Sequence, residues 1–72
     1  MKSTNFTIEF EQETDGRWIA EVQELPGALC YGRSREEAQA KAEALALRVV
    51  ADRLEAGEQP VELKTVEFSL AV

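Results

Sequence analysis

Three glutamates have the spacing in this chain that most invites a chemical reading. Glu9 and Glu11 stand two apart in one alternating stretch, and Glu21 stands in the next. Residues two apart on a strand share a face, so the three could lie side by side on paired strands. Converging carboxylates are what two-metal hydrolysis needs. No Asp stands in the first stretch, however, and only Asp52 falls in the predicted helix. The chain has no His, which excludes His-based acid–base catalysis and zinc-finger ligand sets. Cys30 is the one thiol, with no His or neighbouring Lys in sequence to lower its pKa. It reads as a small buried apolar residue and not as a nucleophile. The residues therefore predict no catalytic group, no metal and no cofactor.

The same carboxylates suit a different task. Between Phe6 and Glu24 stand Glu9, Glu11, Glu13, Asp15, Glu21 and Glu24 against Arg17 alone. Ile19 lies among them as an apolar anchor of the kind that binding surfaces use. The candidate partner-binding set is Glu9, Glu11, Glu13, Ile19, Glu21 and Tyr31. The bulk charge agrees: 14 acidic residues face 8 basic ones, for a net charge of −6. Nonspecific nucleic-acid binding needs the opposite sign. A basic protein partner gains from this charge in encounter rate and selectivity, and the charge also keeps a small domain soluble.

The elements that must position these residues are legible. Phe6, Ile8 and Phe10 alternate with Thr7, Glu9 and Glu11, the period of a strand with one buried face. Asp15-Gly16 marks a tight hairpin turn. Trp18, Ala20 and Val22 continue the apolar phase on a second strand, with Trp18 read as core. Leu25-Pro26-Gly27-Ala28 has the central pair of a type II turn. Leu29-Cys30-Tyr31 makes a short third strand, which Gly32 breaks.

Ser34 and Glu37 form a capping box that opens a helix from Arg35 to Ala56. Ala38, Ala42, Leu45, Ala46 and Val49 share its inner face, and Gly57 ends it. Such a helix is about 33 Å long, against about 23 Å for a seven-residue strand. Its last turns, with Val50 and Leu54, should overhang the sheet and are the candidate oligomer contacts. After Pro60, a fourth strand alternates Val66, Phe68, Leu70 and Val72. Val61 and Leu63 have the opposite phase, so a bulge is expected near Lys64-Thr65.

The order is β-β-β-α-β, an α+β domain with a small antiparallel sheet and one long helix on one face. Its 72 residues make a single domain, which buries only about 60% of its unfolded surface. No disulfide can compensate, so association with a copy or a partner is the readiest added stability. No stretch reads as a signal peptide or a membrane span, and a lone thiol suits a reducing cytoplasm.

Asp15-Gly16-Arg17-Trp18-Ile19-Ala20-Glu21, Glu24-Leu25-Pro26-Gly27, Tyr31-Gly32 and Ser34-Arg35-Glu36-Glu37-Ala38 follow one another in an order that resembles the N-terminal domain of HicB-type antitoxins and the small stand-alone HicB-like proteins. The family pattern is a D-G-x-W-x-A hairpin, a strand ending in E-L-P-G, a Gly before the helix and a T/S-x-x-E-A cap. The likeness covers nearly the whole chain. The family often has Pro where Gln23 stands, Cys where Ala28 stands and Asp where Arg33 stands. The resemblance implies a partial RNase H-like fold and a toxin–antitoxin system. The partner it implies is a small basic HicA-type toxin that cleaves mRNA and is blocked by occlusion. Many HicB antitoxins carry a C-terminal DNA-binding domain. Here residues 1–72 hold only the HicB-like domain, so direct DNA binding is not carried over. Two alternatives stand beside this reading: a homo-oligomeric domain, dimer or tetramer, without a toxin, and a vestigial RNase H-like metal-dependent nuclease.

Overall fold

A computed structural model describes residues 3–57 and 65–71. The elements run β1 (Ser3–Gln12), β2 (Trp18–Val22), β3 (Leu29–Gly32), α1 (Arg35–Ala56) and β4 (Thr65–Ala71). The α+β class and the β-β-β-α-β order are as the sequence predicts. Pro60, Val61, Leu63, Lys64 and Val72 lie outside the described residues, and with them the expected bulge.

The sheet order is β3-β2-β1-β4. β2 pairs antiparallel with β1, and β3 with β2, but β4 pairs parallel with β1. The sheet is therefore mixed, where the sequence suggested antiparallel throughout. The reason is topological. β3 runs parallel to β1, α1 carries the chain back, and the next strand must run forward again. A helical crossover of this kind joins parallel strands.

Each turn closes as its residues dictate. Glu13 N–H donates to Arg17 O and Gly16 N–H to Glu13 O, with Gly16 at φ 93°. This is a wider hairpin than a two-residue turn, because the glycine follows the turn in the left-handed region. Ala28 N–H donates to Leu25 O at 2.9 Å, and Gly27 has φ 83°, as a Pro-Gly type II turn requires. Gly32 differs from expectation. It is the last residue of β3, paired with Trp18, and its backbone is not left-handed. A Cβ there would collide with the backbone nitrogen of Ala38. Glycine is needed because the helix start presses on the strand end.

Ser34 caps α1, its Oγ accepting from Glu37 N–H at 3.1 Å. The Glu37 carboxylate reaches one residue past the usual capping box and accepts from Arg33 N–H at 3.1 Å. That bond, helped by Lys41 at 3.5 Å, lowers the Glu37 pKa. Gly57, at φ 68°, closes the other end by donating to the carbonyls of Arg53 and Leu54.

The core lies between α1 and one face of β1, β2 and β3. Phe6, Ile8, Ala20 and Val22 come from the sheet, Ala38, Ala42 and Ala46 from the helix, and Leu25 and Ala28 from the turn. The alanines let the helix axis approach the sheet closely. Ile8 and Val22 are the only large side chains with essentially no exposed surface among the described residues. Trp18, Leu45 and Val49 pack against this core half-buried. The Arg35 guanidinium covers the end of the layer, 4.3 Å from the Phe10 ring centroid.

Candidate protein-binding face

Among the described residues, the other face of the sheet carries no helix. Register fixes its occupants. Leu29, Glu21, Glu9 and Ala71 lie abreast in one row, and Tyr31, Ile19 and Glu11 in the next. The three glutamates singled out by spacing are thus brought together around Ile19. They line a dimple of about 100 Å³ with Ile19 and Phe10. Ligand pockets run to roughly 300–1,000 Å³, so this is a textured surface and not a small-molecule site.

Glu9 stands directly opposite Glu21. Like charges so placed destabilise a sheet by about 0.2–1 kcal/mol. Among the described residues the ion pairs are Arg17–Asp15 at 2.8 Å and Lys41–Glu37. Neither neutralises the trio. A 3.4 Å contact from Gln23 Nε2 to Glu21 Oε1 is the one side-chain hydrogen bond described for it.

Beside the carboxylates lies an apolar strip. Leu29 is 42% exposed and Tyr31 is 43% exposed, and both flank the half-buried Ile19. Arg17 lies 5.0 Å from the Tyr31 ring centroid and is held to Asp15. The Arg17 amide and guanidinium together lower the Asp15 pKa. Leu29 was missed by sequence reasoning, although its parity with Tyr31 in the third strand signals the shared face. Glu13 is placed elsewhere: it lies in the hairpin loop, half-buried, with its backbone closing the turn.

Glu24 has a role that spacing does not reveal. Its Oε1 accepts from Thr7 N–H at 2.6 Å, while Gln23 N–H donates to Thr7 O. β2 has ended by then, so a carboxylate substitutes for the missing strand. The amide bond lowers the Glu24 pKa. Cys30 faces the helix but is only half-buried, because β3 is an edge strand. It lines a groove of about 370 Å³ with Ala40, Ala44, Leu45, Lys41 and Arg48. The fold thus brings cations to a thiol that has none beside it in sequence. No group of three or more acidic or thiol side chains among the described residues has a metal-binding arrangement. No helix there is long and apolar enough to cross a membrane. Of the candidate oligomer contacts, Leu54 lies exposed in the last turns of α1, and Val50 is half-buried against the core. Compared with known proteins, the chain matches no family model, no curated protein and no solved structure.

Proposed function

We propose that this chain is a non-enzymatic protein-binding module of the antitoxin kind. Its uncovered sheet face engages a small basic protein in the cytoplasm. Following the resemblance to HicB-type antitoxins, that partner is a HicA-type mRNA-cleaving toxin, and inhibition is by occlusion. One observation carries the reading: Glu9, Glu11 and Glu21 are crowded around Ile19, and among the described residues no ion pair neutralises them. Folding alone gains nothing from placing Glu9 against Glu21. A basic partner converts that repulsion into attraction, and Ile19, Leu29 and Tyr31 supply the apolar centre that hot spots require. The mechanism is steric and electrostatic. The carboxylates attract and orient the partner, and the sheet covers its RNA-binding surface.

The test is co-purification of the tagged chain with the product of the adjacent short reading frame, across a salt series. Co-elution that weakens as salt rises is expected, since exposed charges are screened beyond about 8 Å at physiological ionic strength. Elution of the tagged chain without that partner at low salt would refute the reading.

A further inference from the structure

β3 leaves one edge of the sheet open, and among the described residues no element covers it. Val22 N–H donates to Ala28 O, and Gln23 N–H to Thr7 O. Successive β2 residues therefore bond alternately to β3 and to β1, as antiparallel pairing requires. Cys30 and Gly32, opposite Ala20 and Trp18, turn their backbone groups toward β2. The Tyr31 N–H and C=O and the Leu29 C=O then point away from the sheet. The Leu29 N–H turns back to Gly27 O at 3.1 Å. A strand laid on this edge finds a donor and an acceptor together at Tyr31.

α1 runs beside that edge. Its first turn presses on Gly32, Lys41 and Ala44 lie by Cys30, and Val49 lies by Ala28. The hollow at Cys30, about 370 Å³, has the size of a ligand pocket. Cys30, Ala44 and Leu45 are half-buried in it, while Lys41 and Arg48 stand exposed. A second hollow of about 300 Å³ continues along the helix from Leu45 to Arg53. No carboxylate lines either one. In a chain of net charge −6 this is a local reversal of sign. Lys41 is shared with Glu37 at 3.5 Å, but among the described residues Arg48 has no ion pair.

We propose that the β3 edge takes an extended acidic peptide, added to the sheet as a further strand. Main-chain bonds at Tyr31 hold it, and alternate side chains decide which peptide fits. The residue opposite Cys30 points into the hollow, whose walls suit a compact apolar side chain such as Val. The residues two before and two after it share its face. One lies by Gly32 toward Lys41, the other by Ala28 toward Arg48. Those two positions are about 13 Å apart on a strand. Lys41 and Arg48 are about 10.5 Å apart along the helix, a difference that glutamate side chains absorb. The intervening residues sit beside Leu29 and Tyr31 on the outer face, where β-branched Thr suits a strand. The pattern is Glu-x-Val-x-Glu, the same in either strand direction. A nucleic acid offers the charge but no backbone that can pair with Tyr31. This partner differs in sign from the one proposed for the outer face, and the proposal is independent of that reading.

The probe is acetyl-Glu-Thr-Val-Thr-Glu-amide, titrated into the isotope-labelled chain up to the millimolar range and followed by nuclear magnetic resonance. Shifts should centre on Leu29, Cys30, Tyr31 and Arg48, and exchange of the Tyr31 amide should slow. The same peptide with both Thr nitrogens methylated keeps the charge and loses main-chain bonds, so it should bind about tenfold more weakly. Arg48→Gln, at an exposed position, should weaken binding about two- to fivefold with the fold intact. Equal binding by the methylated peptide, by its Lys-Thr-Val-Thr-Lys analogue or by a single-stranded pentanucleotide would overturn the proposal. So would shifts centred on another face, no shifts at all, or an unchanged affinity in Arg48→Gln. A Tyr31 amide already protected in the peptide-free chain would mean that a second copy holds the edge, and would overturn it as well.

Discussion

The two faces of one sheet obey different rules. On the helix side, Phe6, Ile8, Ala20 and Val22 meet Ala38, Ala42 and Ala46, and every side chain there is accounted for by burial. On the outer side, the same strands carry Glu9 opposite Glu21, with Glu11 two residues along from Glu9 and diagonal to Glu21, and exposed Leu29 and Tyr31 alongside. The first face lowers the free energy of folding. The Glu9–Glu21 pair on the second raises it slightly. A surface that folding does not favour is where a binding role is best sought, because selection for function tolerates a small loss of stability.

That contrast can be broken from the inner side first. Ile8→Ala should cost about 2–5 kcal/mol, read as a lower midpoint in urea. In a domain this small that approaches the whole stability, so Ile8→Val, at about 0.5–1.5 kcal/mol, is the measurable companion. Gly32→Ala should cost about 1–3 kcal/mol, because the added methyl drives into the first turn of α1. A neutral Gly32→Ala would mean that the helix does not press on β3.

Smaller effects sharpen the polar joints. Ser34→Ala should lose about 1 kcal/mol with its bond to Glu37 N–H, a shift of about 4–8 °C in Tm for a domain of this size. Glu24→Gln should lose about 1 kcal/mol at neutral pH, since a neutral amide holds Thr7 N–H less well. The Glu24 carboxyl is lowered in the folded state from its ordinary 4.5. Its contribution is therefore complete above that value and lost as pH falls through the folded pKa. Glu24→Gln should flatten this part of the acid-unfolding curve. At the smallest end, Glu9→Gln should raise stability by a few tenths of a kcal/mol by relieving the pair with Glu21. Thermal melts in low salt would show a sign opposite to that of every inner-face change.

Much of this contrast was legible in the chain itself. Period-two alternation assigns Phe6 and Glu9 to opposite faces, and Pro26-Gly27, Ser34 and Gly57 punctuate the chain where their backbone preferences demand. Faces are local properties, and so are turns and caps. Neighbours are not. That β4 pairs parallel with β1 depends on a crossover spanning residues far apart in sequence. The Glu24 bond to Thr7 spans 17 residues, and the meeting of Lys41 and Arg48 with Cys30 depends on where the helix lies across β3. Gly32 looked like a strand breaker because no local signal reports the approach of Ala38. Glu13 belongs to the same acidic run in sequence, but the hairpin loop takes it off the strand face.

On the proposed reading, the outer face is kept for a basic partner at a slight cost in stability. Calorimetric titration of the adjacent-frame protein into the parent chain and into Glu9→Gln/Glu21→Gln, each at low and physiological salt, tests it most directly. Salt-sensitive binding by the parent chain is expected. The double variant should bind at least about tenfold more weakly, a difference of about 1.4 kcal/mol, with an equal or higher Tm. Equal affinity in the two proteins, or weaker binding accompanied by a lower Tm, would contradict it.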